Sequence, residues 1–329
     1  MAITVLTEAE LRSCVTIDAE TRTAVASAFT ALARGEVIMP PILRIDVKEH
    51  NGEVDVKSAY MRGLDGFAVK IASGFFDNPT RGLPSTSGMM NLFDTSTGRL
   101  VAVHLDNGYL TDVRTAAAGA VAAVHLAPRG ARTVGVVGSG AQARMQIQAL
   151  KQVRDFSDLL VWARDGAKAR SYADEMADLL GIAVVVCEGV EPLVRQSDIV
   201  VTATPATSPL IEAAWLHSGL HITAMGSDAE HKNELAPGVM AAADLVVCDS
   251  TAQCMRLGEF HHAVAAGAMA EDAPVVELGQ ITGGRHPGRS RANEVTVCDL
   301  TGTGVQDTAI ALLAFEKAQA LGLGTTLDQ

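Results

Sequence analysis

The sequence predicts an α/β fold in two parts: an open, doubly wound parallel sheet and a smaller mixed α+β domain. Three observations carry this. A β-branched run, Thr133–Val137, feeds a Gly-x-Gly-x-x-Ala turn at Gly138, Gly140 and Ala143, and a helical pattern follows over residues 142–153. Downstream, near-continuous apolar runs of strand length alternate with helical stretches, as strands covered on both faces require. Upstream, shorter segments alternate apolar and polar residues between turn sequences, the signature of an antiparallel or mixed sheet.

Along the chain, residues 7–34 carry apolar side chains near helical spacing and read as one helical stretch. Beyond Pro40 and Pro41, strands are expected over residues 42–47, 53–60, 66–71, 87–93 and 100–105, separated by turn-rich pieces such as Asp77-Asn78-Pro79. The Ala-rich residues 111–126 read as a helix that leads into the second part. After the glycine turn, strands are expected over residues 159–163, 183–187, 199–203, 221–225, 245–248 and 295–298. A last helix over residues 308–321 returns to the first part. The domains are accordingly residues 1–115 with 305–329, and residues 116–304.

Bulk properties narrow the function. The 329 residues suffice for two domains with buried cores. A formal charge of −12 without a strong Lys/Arg cluster argues against a nucleic-acid-binding face. No apolar run approaches the ~18–20 residues that span a bilayer, and the first residues lack a basic region followed by an apolar core, so neither a membrane span nor a secretory signal is expected. The five cysteines are scattered without a Cys-x-x-Cys pair, which fits a reducing cytoplasm and indicates no disulfide framework. No metal site is expected, since the adjacent His261 and His262 do not share a helix face.

The glycine turn supplies the chemistry. A strand, a tight Gly138 turn, a bare Gly140 and a helix N-terminus are what a dinucleotide pyrophosphate needs, with Ala143 keeping helix and strand close. The end of the second strand sets the cofactor, and two options stay open there. Arg164 suits the 2′-phosphate of NADP or stacks on adenine, whereas Asp165 suits the ribose hydroxyls of NAD.

A nicotinamide enzyme needs its protein to orient the substrate, hold its charges and manage one proton. Arg44, Lys57, Lys70 and Arg114 are the candidate cations. Lys70 closes an apolar strand on the face opposite Val69 and Ile71, a face that is solvated by default. Arg114 heads an apolar helix, where a cation opposes the macrodipole and so wants another purpose, such as a carboxylate ligand. Asp228 follows a predicted parallel strand at its carboxyl end, where active-site groups gather, although a helix N-cap is the plainer reading.

With those residues placed, the chain resembles the ornithine cyclodeaminase/μ-crystallin family over nearly its whole length. The matching segments are Pro40-Pro41 with Arg44, residues 66–70, 82–84, 110–117, 138–143 and 202–204, then Gly226-Ser227-Asp228 with residues 232–235, and residues 302–307. Residues 51–57, 73–79 and 298–302 resemble the branch that contains ectoine-utilisation proteins and iminosuccinate reductases. The resemblance implies a homodimer, with residues 1–115 and 305–329 as the substrate-binding and dimerisation domain. It implies Arg44, Lys70 and Arg114 as contacts of a substrate carboxylate, with Lys57 as the second cation for a dicarboxylate. Lys70 and Asp228 become the acid/base candidates. The cofactor residues become Gly138, Ser139, Gly140, Ala141 and Gln142, then Trp162, Ala163 and Arg164, then Thr202, Ala203, Thr204, Gly226 and Ser227, with Leu300 and Thr301 beside the nicotinamide. The implied activity is reduction of an imino acid, or its reverse, with iminosuccinate to L-aspartate as the specific version and NAD(H) favoured over NADP(H). A deaminating cyclase, an ectoine-degradation enzyme and a non-catalytic NAD(P)H-binding protein are the alternatives. Residues 53–57 do not plainly reproduce a diamine-binding environment.

Overall fold

The structure, a computed structural model, describes residues 2–328. Strand β1 (Ala2–Thr7) leads into helices α1 (Glu8–Cys14) and α2 (Ala19–Ala33), so the single helical stretch expected over residues 7–34 is in fact two. Capping decides this. Thr7 and Glu10 form a capping box at α1, Val15 is extended, and the Asp18 carboxylate accepts the Thr21 N–H at 2.8 Å to start α2. Apolar spacing does not register such stops. Five strands follow after the short β2 (Val37–Ile38): β3 (Leu43–Val47), β4 (Gly52–Met61), β5 (Gly66–Phe75), β6 (Thr86–Asp94) and β7 (Leu100–Leu105). Consecutive members from β3 onwards pair antiparallel. Helix α3 (Tyr109–Leu126) comes next.

The chain divides into two compact units, one of residues up to Arg114 together with those from Thr303, the other Thr115–Gly302. The second unit holds strands β8 (Thr133–Val137), β9 (Asp158–Trp162), β10 (Ala183–Val186) and β11 (Ile199–Thr202), then β12 (Thr207–Ile211), β13 (His221–Ala224) and β14 (Asn233–Leu235), and finally β15 (Leu245–Cys248), β16 (Val276–Glu277) and β17 (Thr296–Asp299). Between them lie α4 (Ala141–Lys151), α5 (Gly166–Leu180), α6 (Val190–Gln196), α7 (Pro237–Ala242), α8 (Thr251–Cys254), α9 (Glu259–Ala265) and α10 (Leu278–Thr282). Eight strands form one parallel sheet in the order β10-β9-β8-β11-β13-β17-β15-β16, while β12 and β14 pair separately. The order reverses direction between β8 and β11, and that switch point is where a doubly wound sheet opens a crevice at its carboxyl ends. One face buries Val134, Val136, Leu159 and Val161 with Ile147 of α4 and Tyr172 of α5. The other buries Val200, Ile222 and Val297 with Leu193 of α6 and Phe260 of α9. Burial of each such side chain contributes about 1.5–3 kcal/mol, which explains why these strands read as unbroken apolar runs.

The chain then re-enters the first unit through α11 (Gly304–Ala320) and ends in β18 (Thr325–Asp328). The first sheet has the order β18-β1-β7-β6-β5-β4-β2, with β3 also on β4; β1 runs parallel to β7 and antiparallel to β18. Among the described residues no helix is long and apolar enough to cross a membrane.

Candidate active site

In the first unit, strand register sets out the cations. Lys57 of β4 lies directly opposite Lys70 of β5. Arg44 pairs with Asp55, which pairs with Ala72, so Arg44 sits one row further along the same sheet face. Helix α11 lies on these strands because its first turn is shaped to them. A Cβ at Gly304 would come 2.5 Å from the Ser58 carbonyl oxygen, and the Thr308 hydroxyl donates to Ala59 O at 2.8 Å and accepts the Ala68 N–H at 3.1 Å. This seating delivers Asp307 to the cations. Its carboxylate meets Lys70 Nζ at 2.9 Å and Arg114 Nε at 2.9 Å, and Gln306 Oε1 accepts from Arg114 Nη1 at 2.7 Å.

Lys70, Arg114 and Asp307 are 2%, 4% and 0% exposed, so the solvated face expected for Lys70 is a buried one. The strand it was expected to close runs on to Phe75, and α11 covers it. Burial lowers the Lys70 ammonium to about 7, with Asp307 opposing the fall and the charges of Arg114 and Lys57 adding to it. Burial pushes Asp307 up, but Arg114, Lys70 and Lys57 together hold it below the ordinary carboxylate range. Arg114 is the sixth residue of α3 rather than its head. Asp106, at the foot of α3, accepts the Leu110 N–H at 2.8 Å, and burial raises it to about 6. Arg44 is held by carboxylates of its own sheet: Asp46 at 2.9 Å, Asp55 at 3.8 Å, and Glu53.

In the second unit, the glycine turn joins β8 to α4. Gly138 has φ +123°, and a Cβ there would stand 2.7 Å from Ala203 O across the switch point, so both backbone and space demand glycine. A Cβ at Gly140 would meet no protein atom within 4 Å, which means its bareness serves something outside the packing. Gly140 caps α4 with no side-chain bond of its own. With Ser139, Ala141 and Gln142 around it, this is a cradle that fits a pyrophosphate. Beyond Trp162, Ala163 and Arg164, Asp165 serves as N-cap of α5, accepting from Ala167 N at 2.9 Å and Lys168 N at 3.2 Å. The ribose role open to Asp165 in the sequence is thus matched by a structural one.

The loops after β11 and β13 are tied by Glu234, a residue the sequence reading passed over. Its buried carboxylate accepts from Thr202 Oγ1 at 2.6 Å, Thr204 N at 2.7 Å, Thr204 Oγ1 at 2.7 Å and Gly226 N at 2.8 Å. Ser227 donates to Lys232 O, and Asp228 pairs with Lys232 Nζ at 2.6 Å in a turn, not at a helix cap. Further carboxylates continue the pattern. Glu259 accepts from Glu234 N and Leu235 N, Asp299 from Phe260 N, and Asp249 from Thr301 N, Thr301 Oγ1 and Gly302 N, which fixes the loop of Leu300 and Thr301. Burial raises all four. Although no metal site was expected, Cys248, Cys254 and Asp299 gather within 4.8 Å. Burial drives both thiols up, away from the ligating thiolate, and Cys254 donates its S–H to Asp249 at 3.4 Å.

The structure therefore brings Lys57, Lys70 and Arg114 together in the first unit, with Arg44 one row away and engaged elsewhere. It gathers Gly138–Gln142, Thr202–Thr204, Gly226–Asp228 and Leu300–Thr301 at the carboxyl ends of the second unit's strands. Asp307, Gln306 and Glu234 were missed as site residues, and the signal available was an acidic or amide side chain set among otherwise buried residues.

Residues 2–322 match the ornithine cyclodeaminase/mu-crystallin family. A protein of Rhizobium meliloti (strain 1021), provisionally named a dehydrogenase, is 55% identical over 98% of each chain. Among solved structures, Thermococcus litoralis Delta(1)-pyrroline-2-carboxylate reductase with NADH and L-proline superposes with a TM-score of 0.93 at 30% identity, covering 98% of this chain and 99% of that one. The iminosuccinate reductase of Paracoccus denitrificans with NAD+ gives 0.92 at 32% identity over the whole of both chains (100% of each).

Proposed function

The chain belongs to the ornithine cyclodeaminase/mu-crystallin family, and from that premise we propose that it is an NAD-dependent oxidoreductase acting on the C–N bond of an imino or amino acid. The carrying observation is the buried Lys70–Asp307–Arg114 group with Lys57 beside it. Two buried cations, Lys70 and Arg114, share the single carboxylate of Asp307, an arrangement suited to receive an anionic ligand. A dinucleotide is supported by the Gly138–Gln142 cradle, and NAD(H) in particular by the two solved relatives that contain NADH or NAD+.

When bound, the nicotinamide supplies the hydride that reduces the imine carbon. The protein's own residues do the rest. Arg114, through its guanidinium fork, and Lys70, as a point charge, take the α-carboxylate and fix its orientation. Asp228 exchanges the proton at the substrate nitrogen, and Lys70, with its ammonium near 7, is suited to move a proton at neutral pH. Lys57 meets a second carboxylate, which makes iminosuccinate, reduced to L-aspartate, the specific substrate. Arg44 joins the substrate only by exchanging its present carboxylate partners. A homodimer is supported by the exposed Leu43 and Ile45 on β3, on the face opposite Arg44.

The test is NADH and NADPH oxidation with oxaloacetate, pyruvate or glyoxylate plus ammonia, and with cyclic imino acids. Stoichiometric NADH loss with one of them, fastest with oxaloacetate and ammonia, is the expected result. Tight NADH binding with no turnover on any of them rules the reading out, as does ammonia release from ornithine without net cofactor change.

A further inference from the structure

Two cations within reach of one carboxylate are an unfavourable pair in a dry site. Lys70 and Arg114 come from different elements, β5 and α3, and both are almost fully buried. Between them stands one carboxylate, on a third element: Asp307 in the first turns of α11, whose Oδ1 accepts from both Lys70 Nζ at 3.1 Å and Arg114 Nε at 2.9 Å, while Oδ2 lies 2.9 Å from Lys70 Nζ without a hydrogen bond. Lys57 faces Lys70 from β4, and Asp106 acts on it from the end of β7. In the same row, two strands away, His104 of β7 is buried and, lowered by that burial to about 4, carries no charge at neutral pH. Asp307 is thus the anion that directly bridges the pair.

We propose that Asp307 is a positioning residue for the imino-acid carboxylate: it keeps the Lys70 ammonium protonated and fixes the Arg114 guanidinium in the orientation that receives the substrate. The inference rests on the substrate roles proposed above for Lys70 and Arg114. Asp307 Oδ1 takes the Nε–H of Arg114 while Gln306 Oε1 takes an Nη1 hydrogen, so two neighbouring side chains of α11 fix the plane of the guanidinium. Helix α11 is itself locked to β4 and β5 by Gly304 and Thr308, which leaves the carboxylate little freedom. Loss of that one charge leaves the buried Lys70 and Arg114 without the carboxylate they share, and Lys70, unlike the guanidinium, can relieve their repulsion by shedding its proton.

The experiment compares the full-length enzyme with Asp307→Asn and Asp307→Glu. NADH binding is followed by fluorescence titration, steady-state kinetics are taken from pH 5.5 to 9.5, and the Lys70 titration is read by NMR of lysine labelled at Cε, assigned by its loss in Lys70→Met. Asp307→Asn is expected to lower the Lys70 midpoint by about one pH unit or more and to raise KM for the imino acid about tenfold or more. NADH affinity is expected to stay within about twofold. Asp307→Glu, which keeps the charge but moves it by a methylene, is expected to retain the midpoint and still raise KM. An unchanged Lys70 midpoint in Asp307→Asn overturns the proposal, and so does an equal loss of NADH and substrate affinity, which a merely structural bridge would give. Should Asp307→Asn not fold, Asp307→Glu decides: a wild-type KM overturns the proposal. If the wild-type enzyme turns over no substrate, the proposed activity fails, while the NMR midpoint still judges the role of Asp307.

Discussion

Glu234 accepts the Thr202 hydroxyl at 2.6 Å, and through the same carboxylate it holds Thr204 and Gly226, so one buried side chain fixes the ends of two neighbouring strands. These are the strands whose following loops supply Thr202–Thr204 and Gly226–Asp228. A Cβ at Gly226 would collide with Thr204 O and with the Glu234 carboxylate, which shows how closely the two loops are drawn together. Glu234→Gln replaces one acceptor oxygen by a donor facing other donors, at a cost of about 1–3 kcal/mol. NADH affinity should fall about tenfold, measured by fluorescence titration; a wild-type dissociation constant would remove Glu234 from cofactor positioning.

Asp228 pairs with Lys232 on one side, yet its side chain is 48% exposed, so it is accessible as a proton carrier. Asp228→Asn keeps the shape and removes the basicity. Turnover should drop about 10²-fold or more while NADH binding stays intact. Unchanged turnover would exclude Asp228 from the proton transfer.

What the sequence disclosed and what it hid follow from the range of the interactions. The strand Thr133–Val137, the turn at Gly138 and the helix after it are local patterns, and the turn residue has the positive φ that its glycine predicts. The apolar runs of β9, β11, β13 and β15 were visible because burial on both faces demands them. The break between α1 and α2 was hidden because the extended Val15 and the Asp18 cap interrupt a continuous apolar spacing. Lys70 looked solvated because its covering helix lies 237 residues away in the Lys70–Asp307 pairing. Glu234 was hidden for the same reason: its four bonds join β14 to loops up to 32 residues distant. Alternation along a strand tells which face a residue takes, never what will cover that face.

Lys57 offers the sharpest test of substrate class. It is 7% exposed, stands opposite Lys70, and adds to the charge felt by both Lys70 and Asp307. If it meets a second carboxylate, Lys57→Met should raise KM for the imine of oxaloacetate by about ten- to a hundredfold, the range of a charged hydrogen bond. The imine of pyruvate, which lacks that group, should change far less. Equal effects on both would argue against a dicarboxylate.

Stability of the second unit should carry the mark of its buried carboxylates. Burial raises Asp299 to about 7, opposed by the Phe260 N–H and reinforced by Asp249, and Glu259 rises to about 8 through burial and the charge of Asp299. Between the ordinary carboxylate range and these values the folded state holds a proton that the unfolded chain releases. The contribution is therefore complete at low pH and is lost as pH rises through about 7 to 8. His221 acts at the acid end with the opposite slope: its burial lowers it to about 3, so stability falls as pH drops below the ordinary histidine range. Asp299→Asn removes one ionisation and leaves His221 untouched, so the histidine cancels in the difference between variant and wild type. Loss of hydrogen-bonding strength at Phe260 shifts that difference by a constant, whereas the ionisation gives it a slope. From pH 5 to 7 the Tm difference should move in favour of the variant by about 2 °C or more per pH unit, from a limit of about 1.4 kcal/mol per unit for one proton. A flat difference across that range would mean that Asp299 is ionised in the folded protein, its charge met by the backbone N–H groups of Glu259 and Phe260.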